Sequence, residues 1–146
     1  MARRAQGLKA SEHFSMRMKA PLSAGLERRA DETRESKTAL VERYVDEGLK
    51  RDAHPEITFR DGPFGRRAML GNTRLDVWQI IETLRNSGNS LEEAADYLNL
   101  PVSRMRACLS FYAAYQAEVD EYAKQVAEAN LAAETAWRRE QALIGV

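Results

Sequence analysis

The chain has 146 residues, with 22 Lys and Arg against 22 Asp and Glu and 44% apolar residues, a length and balance suited to about one domain. No apolar run exceeds Phe111 to Tyr115, which excludes a transmembrane span, and Lys9, Glu12 and His13 stand where a secretory signal would carry its apolar region. A single cysteine, Cys108, excludes an intramolecular disulfide, and cytoplasmic residence is the expectation.

The zero net charge is unevenly spread: residues 1–51 hold 12 basic and 8 acidic side chains, residues 52–122 hold 7 and 11, and residues 123–146 hold 3 and 3. Residues 1–12 form a basic flexible arm in which Arg3, Arg4 and Lys9 suit a polyanion. From His13 to Lys19 polar and apolar residues alternate, setting Phe14, Met16 and Met18 on one face and His13, Ser15, Arg17 and Lys19 on the other, as in a short strand. Pro21 ends that strand, and Ser23 is expected to cap a helix with Leu22, Leu26 and Ala30 on one stripe. Ser36 starts a second helix, whose Leu40, Val41, Tyr44, Val45 and Leu49 make one apolar face before Asp52-Ala53-His54-Pro55 interrupts it.

A strand and two short helices cannot close by themselves, because the strand edges stay unpaired and the buried area cannot offset the ordering entropy. Two copies with their strands antiparallel would bury Phe14, Met16 and Met18 and present Ser15 and Arg17 on a two-stranded ribbon that fits the DNA major groove. Residues 13–52 thus form the expected DNA-binding and dimerisation domain. Over residues 13–51 the run His13-Phe14-Ser15-Met16-Arg17-Met18, then Leu26, Ala30 and Ser36-Lys37-Thr38-Ala39-Leu40-Val41, resembles the ribbon-helix-helix (CopG/Arc/MetJ-like) DNA-binding proteins. Arg34-Glu35 stand where that family has a glycine between its helices. Arg17 has the chemistry to pair with guanine, and Lys37 and Thr38 open the second helix, where phosphate would sit. His13, Ser15, Arg17, Lys19, Lys37 and Thr38 are therefore the DNA-binding candidates.

Ile57 to Leu70, with Asp61-Gly62-Pro63-Phe64-Gly65 between two strand-like runs, reads as a hairpin. Asp76 and Gln79 are spaced as N-cap and N3 of a helix carrying Val77, Ile80, Ile81 and Leu84, and Ser90 and Glu93 repeat that spacing ahead of Leu91, Ala94, Ala95 and Leu98. Asn99-Leu100-Pro101 turns the chain, and Ser103 is expected to cap the next helix, giving a winged-helix-like helix-turn-helix module. Gly71-Asn72-Thr73-Arg74-Leu75-Asp76-Val77, Ser90-Leu91-Glu92-Glu93-Ala94-Ala95, Leu100-Pro101 and Ala107-Cys108-Leu109-Ser110-Phe111-Tyr112 resemble a domain of VapB-type antitoxins. The resemblance spans residues 54–115 and implies a small DNA-binding or dimerising module paired with a PIN-like toxin ribonuclease.

No Pro or Gly occurs from Val102 to Ile144, and apolar residues recur every three or four positions, so a long helix, straight or bent, is expected, with the boundary of the second module at residue 115. Residues 116–146 make a C-terminal helical arm whose stripe of Tyr115, Val119, Tyr122 and Val126, continued by Trp137 with Arg138 and Arg139, is the candidate partner surface. Arg104 and Arg106 head the helix that would read DNA in the second module, but that stretch is acidic, and solvated side chains are the simpler reading. His13 and His54 belong to no metal motif, the Gly62–Gly65 turn lacks the Gly-Lys-Ser/Thr of a phosphate loop, and Cys108 lies on an apolar stripe. Neither enzyme activity nor a metal or cofactor is expected. The sequence thus describes a mainly α protein consisting of a ribbon-helix-helix unit, a helix-turn-helix module and a long C-terminal helix. The expected function is that of an antitoxin, which binds operator DNA as a homodimer and neutralises a PIN-like toxin. The alternative is a free-standing ribbon-helix-helix transcriptional regulator.

Overall fold

The computed structural model describes residues 11–145, so Arg3, Arg4 and Lys9 of the basic arm lie outside it. The described chain is mainly helical, with one two-stranded antiparallel sheet, and falls into two compact units that meet between Tyr44 and Val45. None of the described helices is long and apolar enough to cross a membrane.

In the first unit, residues 11–19 form no strand in the single chain, contrary to the alternating pattern. A lone strand has nothing to hydrogen-bond to, so the pattern has no ladder to act through. Helix α1 (Ala20–Thr33) begins before the expected Ser23 cap, with Pro21 in its first turn. A first-turn N–H has no helical partner, and the fixed φ of proline suits this position, so Pro21 opens the helix instead of ending a strand. Leu26 and Ala30 of α1 are buried against Leu40 of α2 (Lys37–Ala53), with Met18 and Val41 packed alongside. The turn between them closes without glycine: Arg34 takes a left-handed φ of 57°, and the Glu35 N–H donates to the Ala30 carbonyl at 3.2 Å. Ser36 caps α2 as expected, its Oγ accepting from the Ala39 N–H at 3.1 Å.

The second unit opens with the C-terminal part of α2, where the apolar stripe read from the sequence proves to be the wrong face. Tyr44 at the end of the first unit is exposed, as are Val45 and Leu49, while Glu47 and Lys50 are buried. Strands β1 (Ile57–Gly62) and β2 (Gly65–Leu70) then pair in the register Ile57↔Leu70 to Gly62↔Gly65. Pro63 cannot take the positive φ of a primed hairpin turn, and the left-handed step falls instead on Gly65 at φ 103°.

Helix α3 (Val77–Asn86) begins at the expected box, with Gln79 Oε1 accepting from the Asp76 N–H at 2.9 Å and Trp78 Nε1 donating to Asp76 Oδ2 at 3.0 Å. Ser90 Oγ accepts from the Glu93 N–H at 3.2 Å to start α4 (Leu91–Leu98), in which Ala94 and Ala95 are buried so that α4 can approach α3 and α5. Helix α5 (Val102–Ala114) starts directly after Pro101, which leaves Ser103 inside the first turn and not at the cap. Asn72, Asn89 and Asn99 hold the corners of this unit at φ 58°, 63° and 53°. Its core gathers Ile57 and Leu70 of the hairpin with Val77, Ile80, Met105, Cys108 and Phe111 of the helices.

The long helix expected from Val102 is bent sharply enough to break in two. Tyr115 leaves helical geometry at φ −129° and ψ 39°, and α6 (Gln116–Leu143) follows. No glycine or proline causes the break. The Tyr115 ring packs 4.9 Å from Phe111 and 5.8 Å from His54, so aromatic packing sets the corner that lays the start of α6 on α3.

Candidate nucleic-acid and partner surfaces

His13, Ser15, Arg17 and Lys19 are all exposed, which leaves their side chains open to a ligand. Of the apolar residues between them, Phe14 is 82% and Met16 62% exposed, and Met18 alone reaches the Leu26–Leu40 cluster. Thr38 is exposed at the start of α2, and Lys37 donates from Nζ to Glu27 Oε1 at 2.9 Å. That hydrogen bond, with the lysine's charge, holds the Glu27 carboxyl below its usual range. The pair is fully at the surface, where water competes with it, so a phosphate could take Lys37 from Glu27 at little cost.

In the second unit Arg104 is an anchor. Its Nη1 donates to Glu56 Oε1 at 2.8 Å and its Nη2 to the Gly71 carbonyl, which ties the head of α5 to the base of the hairpin. Arg106 alone of the two arginines is exposed. Burial pushes the Cys108 thiol up to about 12, against the opposing influence of Arg104, so the side chain stays protonated among its apolar neighbours. Among the described residues no group of His, Cys, Asp and Glu is arranged to hold a metal ion.

The partner stripe is shorter than the sequence suggested. Val119 is buried in the core of the unit, Tyr115 packs on that core, and Tyr122 is half-buried with its ring 5.9 Å from Phe64. Val119 and Tyr122 meet α3 and the hairpin, Tyr115 packs on Phe111 and His54, and Val126 is half-buried. From Ala127 to Glu140 every residue is exposed; Trp137 is 58% exposed, Arg138 pairs with Glu134, and Arg139 makes no ion pair among the described residues.

Sequence reasoning missed the polar cluster that joins α2 to the rest of the second unit. Lys50 Nζ donates to Asp46 Oδ2 at 2.8 Å and Glu118 Oε2 at 2.6 Å, and it lies 4.8 Å from the centre of the Tyr115 ring. Arg66 Nε donates to the buried Glu47 at 2.7 Å, and its Nη1 to Asp61 at 3.0 Å. Glu47 and Lys50 stand three apart, on one face of a helix, and only the assumption that the apolar stripe must be the buried one hid them. Compared with protein-family models, with curated proteins and with solved structures, the chain matches none of them.

Proposed function

We propose that the chain is a DNA-binding antitoxin: its first unit dimerises and grips operator DNA, and its second unit neutralises a PIN-like toxin ribonuclease through the exposed end of α6. The observation that carries the reading is the exposure of Phe14, Met16 and Leu22 on a unit whose core, among the described residues, is Leu26, Ala30 and Leu40 with Met18 and Val41 alongside. Each such side chain removed from water contributes roughly 1.5–3 kcal/mol, and a second copy is the partner whose strand could pair with residues 13–19 while covering them. His13, Ser15, Arg17 and Lys19 alternate with those apolar residues, so burying one set turns the other outward as a ribbon for the major groove. Arg17 is the proposed base reader, and Lys37 and Thr38 the phosphate contacts, in keeping with the ribbon-helix-helix resemblance. The helix-turn-helix reading of α4 and α5 remains part of this proposal as a protein-binding module, since Arg104 is committed to Glu56 and Gly71.

A free-standing regulator without a toxin is the second reading. It is favoured by the commitment of Tyr115, Val119 and Tyr122 to the chain's own fold, which leaves a smaller partner surface.

The test is a gel-shift titration on the DNA upstream of the chain's own gene, alongside sedimentation. Met16→Lys should give monomers that do not shift the DNA, and Arg17→Ala should lose about 1–3 kcal/mol on that DNA and much less on random duplex. A wild-type chain that sediments as a folded monomer at micromolar concentration overturns the dimer. For the toxin, co-purification with the product of the adjacent gene should be lost when the chain ends at Asn130, a truncation that spares Val119 and Tyr122. Equal capture by both lengths removes α6 from the proposal.

A further inference from the structure

The corner between α5 and α6 is held by packing and not by the local sequence. Tyr115 alone leaves helical geometry there, and helical bonding resumes on both sides of it: the Tyr115 N–H donates to the Phe111 carbonyl at 3.0 Å and the Val119 N–H to the Tyr115 carbonyl at 3.2 Å. Its neighbours Ala113, Ala114, Gln116, Ala117 and Glu118 are all residues suited to a helix interior. Splitting one helix into two leaves backbone groups at the corner without helical partners. Contacts between α6 and the rest of the second unit offset that loss. Val119 enters the core, Glu118 accepts from Lys50, and the Tyr112 hydroxyl donates to Asp120 Oδ1 at 2.8 Å across the corner. In a straight helix Tyr112 and Asp120 would stand about 12 Å apart, so this bond exists only because the chain bends.

We infer that the corner is a hinge at which two copies of the chain exchange α6. With Tyr115 returned to helical geometry, α5 and α6 make one continuous helix. Each α6 then docks on α3 and the hairpin of the other copy, where Val119, Asp120 and Tyr122 meet the neighbours they have in the single chain. A second copy is the occupant that fits, because the face α6 vacates is already shaped for α6. Exchange of an identical element is a low-cost route to a dimer, since it needs no new interface. The corner's backbone groups regain partners, and Tyr115 keeps Phe111, one turn back; only its edge contact with His54 is given up. The exchange uses the first half of α6, leaves the exposed residues 127–140 free for the proposed toxin, and stands whether or not the chain binds DNA.

The test uses the full-length chain with Met16→Lys, so that the first unit contributes no dimer, and with spin labels on Ser103→Cys and Asn130→Cys. Both positions are exposed and Cys108 is buried. Dilution with unlabelled chain of the same sequence restricts the measured distance to one copy. A continuous helix sets the labels about 40 Å apart, and the corner brings them closer. Tyr115→Ala and Tyr115→Gly delete the same ring contacts, but glycine disfavours a helix interior about fivefold relative to alanine. Two hinges enter the dimer, so the Tyr115→Ala chain should dimerise roughly 25-fold more tightly. At hundreds of micromolar it should sediment as a dimer with the 40 Å distance, about that of a straight helix, while the Tyr115→Gly chain stays monomeric with the shorter one. If circular dichroism shows either hinge variant unfolded, the chain with Tyr115 intact, refolded from urea at the same concentration, should show the long distance in its dimer fraction. The inference is overturned by a dimer that keeps only the short distance, by equal dimerisation of the two hinge variants, or by Tyr115→Ala and refolded chains that both stay monomeric.

Discussion

Lys50 gives the sharpest test of how the second unit is held together. Its side chain is 6% exposed, whereas its partners Asp46 and Glu118 are 58% and 60% exposed. This inequality makes the two ways of breaking the cluster very different. In Lys50→Met the ammonium over the Tyr115 and Phe59 rings gives way to an apolar end of similar length that suits those rings, and the two carboxylates left behind are already hydrated, so the cost should stay at about 1 kcal/mol. In the double variant Asp46→Asn with Glu118→Gln the ammonium stays buried without a counter-charge, and breaking such a pair costs roughly 3–5 kcal/mol. Deprotonating a lysine of usual value 10.5 at pH 7 would itself cost about 4.8 kcal/mol, at about 1.36 kcal/mol per unit, and this caps the penalty.

Urea unfolding followed by circular dichroism measures both variants, and the reasoning is refuted if Lys50→Met loses as much as the double variant. A pH series adds an independent check. Burial pulls the Lys50 ammonium down, but hydrogen bonds to Asp46 and Glu118 outweigh it and hold the group above its usual 10.5. Its contribution is therefore complete below the unfolded value and disappears as pH rises through the folded one. Wild type should lose stability above about pH 10.5, and Lys50→Met should lack that share of the loss.

Leu40→Ala should cost the first unit roughly 2–5 kcal/mol, because Leu40 is fully buried at the centre of a small cluster with Leu26 and Ala30, flanked by Met18 and Val41. Hydrogen exchange resolved by fragment should then show lost protection over residues 20–44, and unchanged protection there would refute the packing. Cys108 should react with a thiol reagent only at the rate at which the second unit unfolds, since burial and a thiol value of about 12 both withhold the thiolate. Rapid reaction in native buffer would contradict its place in the core.

Local chemistry was legible in the sequence. Ser36, Asp76 with Gln79, and Ser90 start helices where their spacing said they would, because a cap acts over three residues and needs no tertiary partner. Ser23 and Ser103 misled for an equally local reason: Pro21 and Pro101 already supply a helix start, leaving the hydroxyls inside the first turn. A bend in the long helix was allowed by the sequence, but the cause of the break at Tyr115 was not legible, because it lies in contacts with Phe111, one turn back, and with the distant His54. The same limit applied to the candidate surfaces. Periodicity located the stripe Tyr115–Val119–Tyr122 but could not tell that α3 and the hairpin cover it, and it located Val45 and Leu49 but not that Glu47 and Lys50 would turn inward. Arg104 looked like a head-of-helix cation, since nothing in its neighbourhood announces Glu56, 48 positions away.

The corners of the second unit bear on how the chain responds to heat. Asn72, Asn89 and Asn99 hold left-handed backbone at three turns where glycine would fit with less strain. A glycine at each would also let the unfolded chain wander over more of φ/ψ space, and folding would then have to surrender that freedom. With asparagine the disordered chain is more restricted from the outset, so less entropy is lost on ordering and less is regained on melting. The restriction of the unfolded chain therefore offsets part of the left-handed strain at these corners, a term that no inspection of native contacts would find.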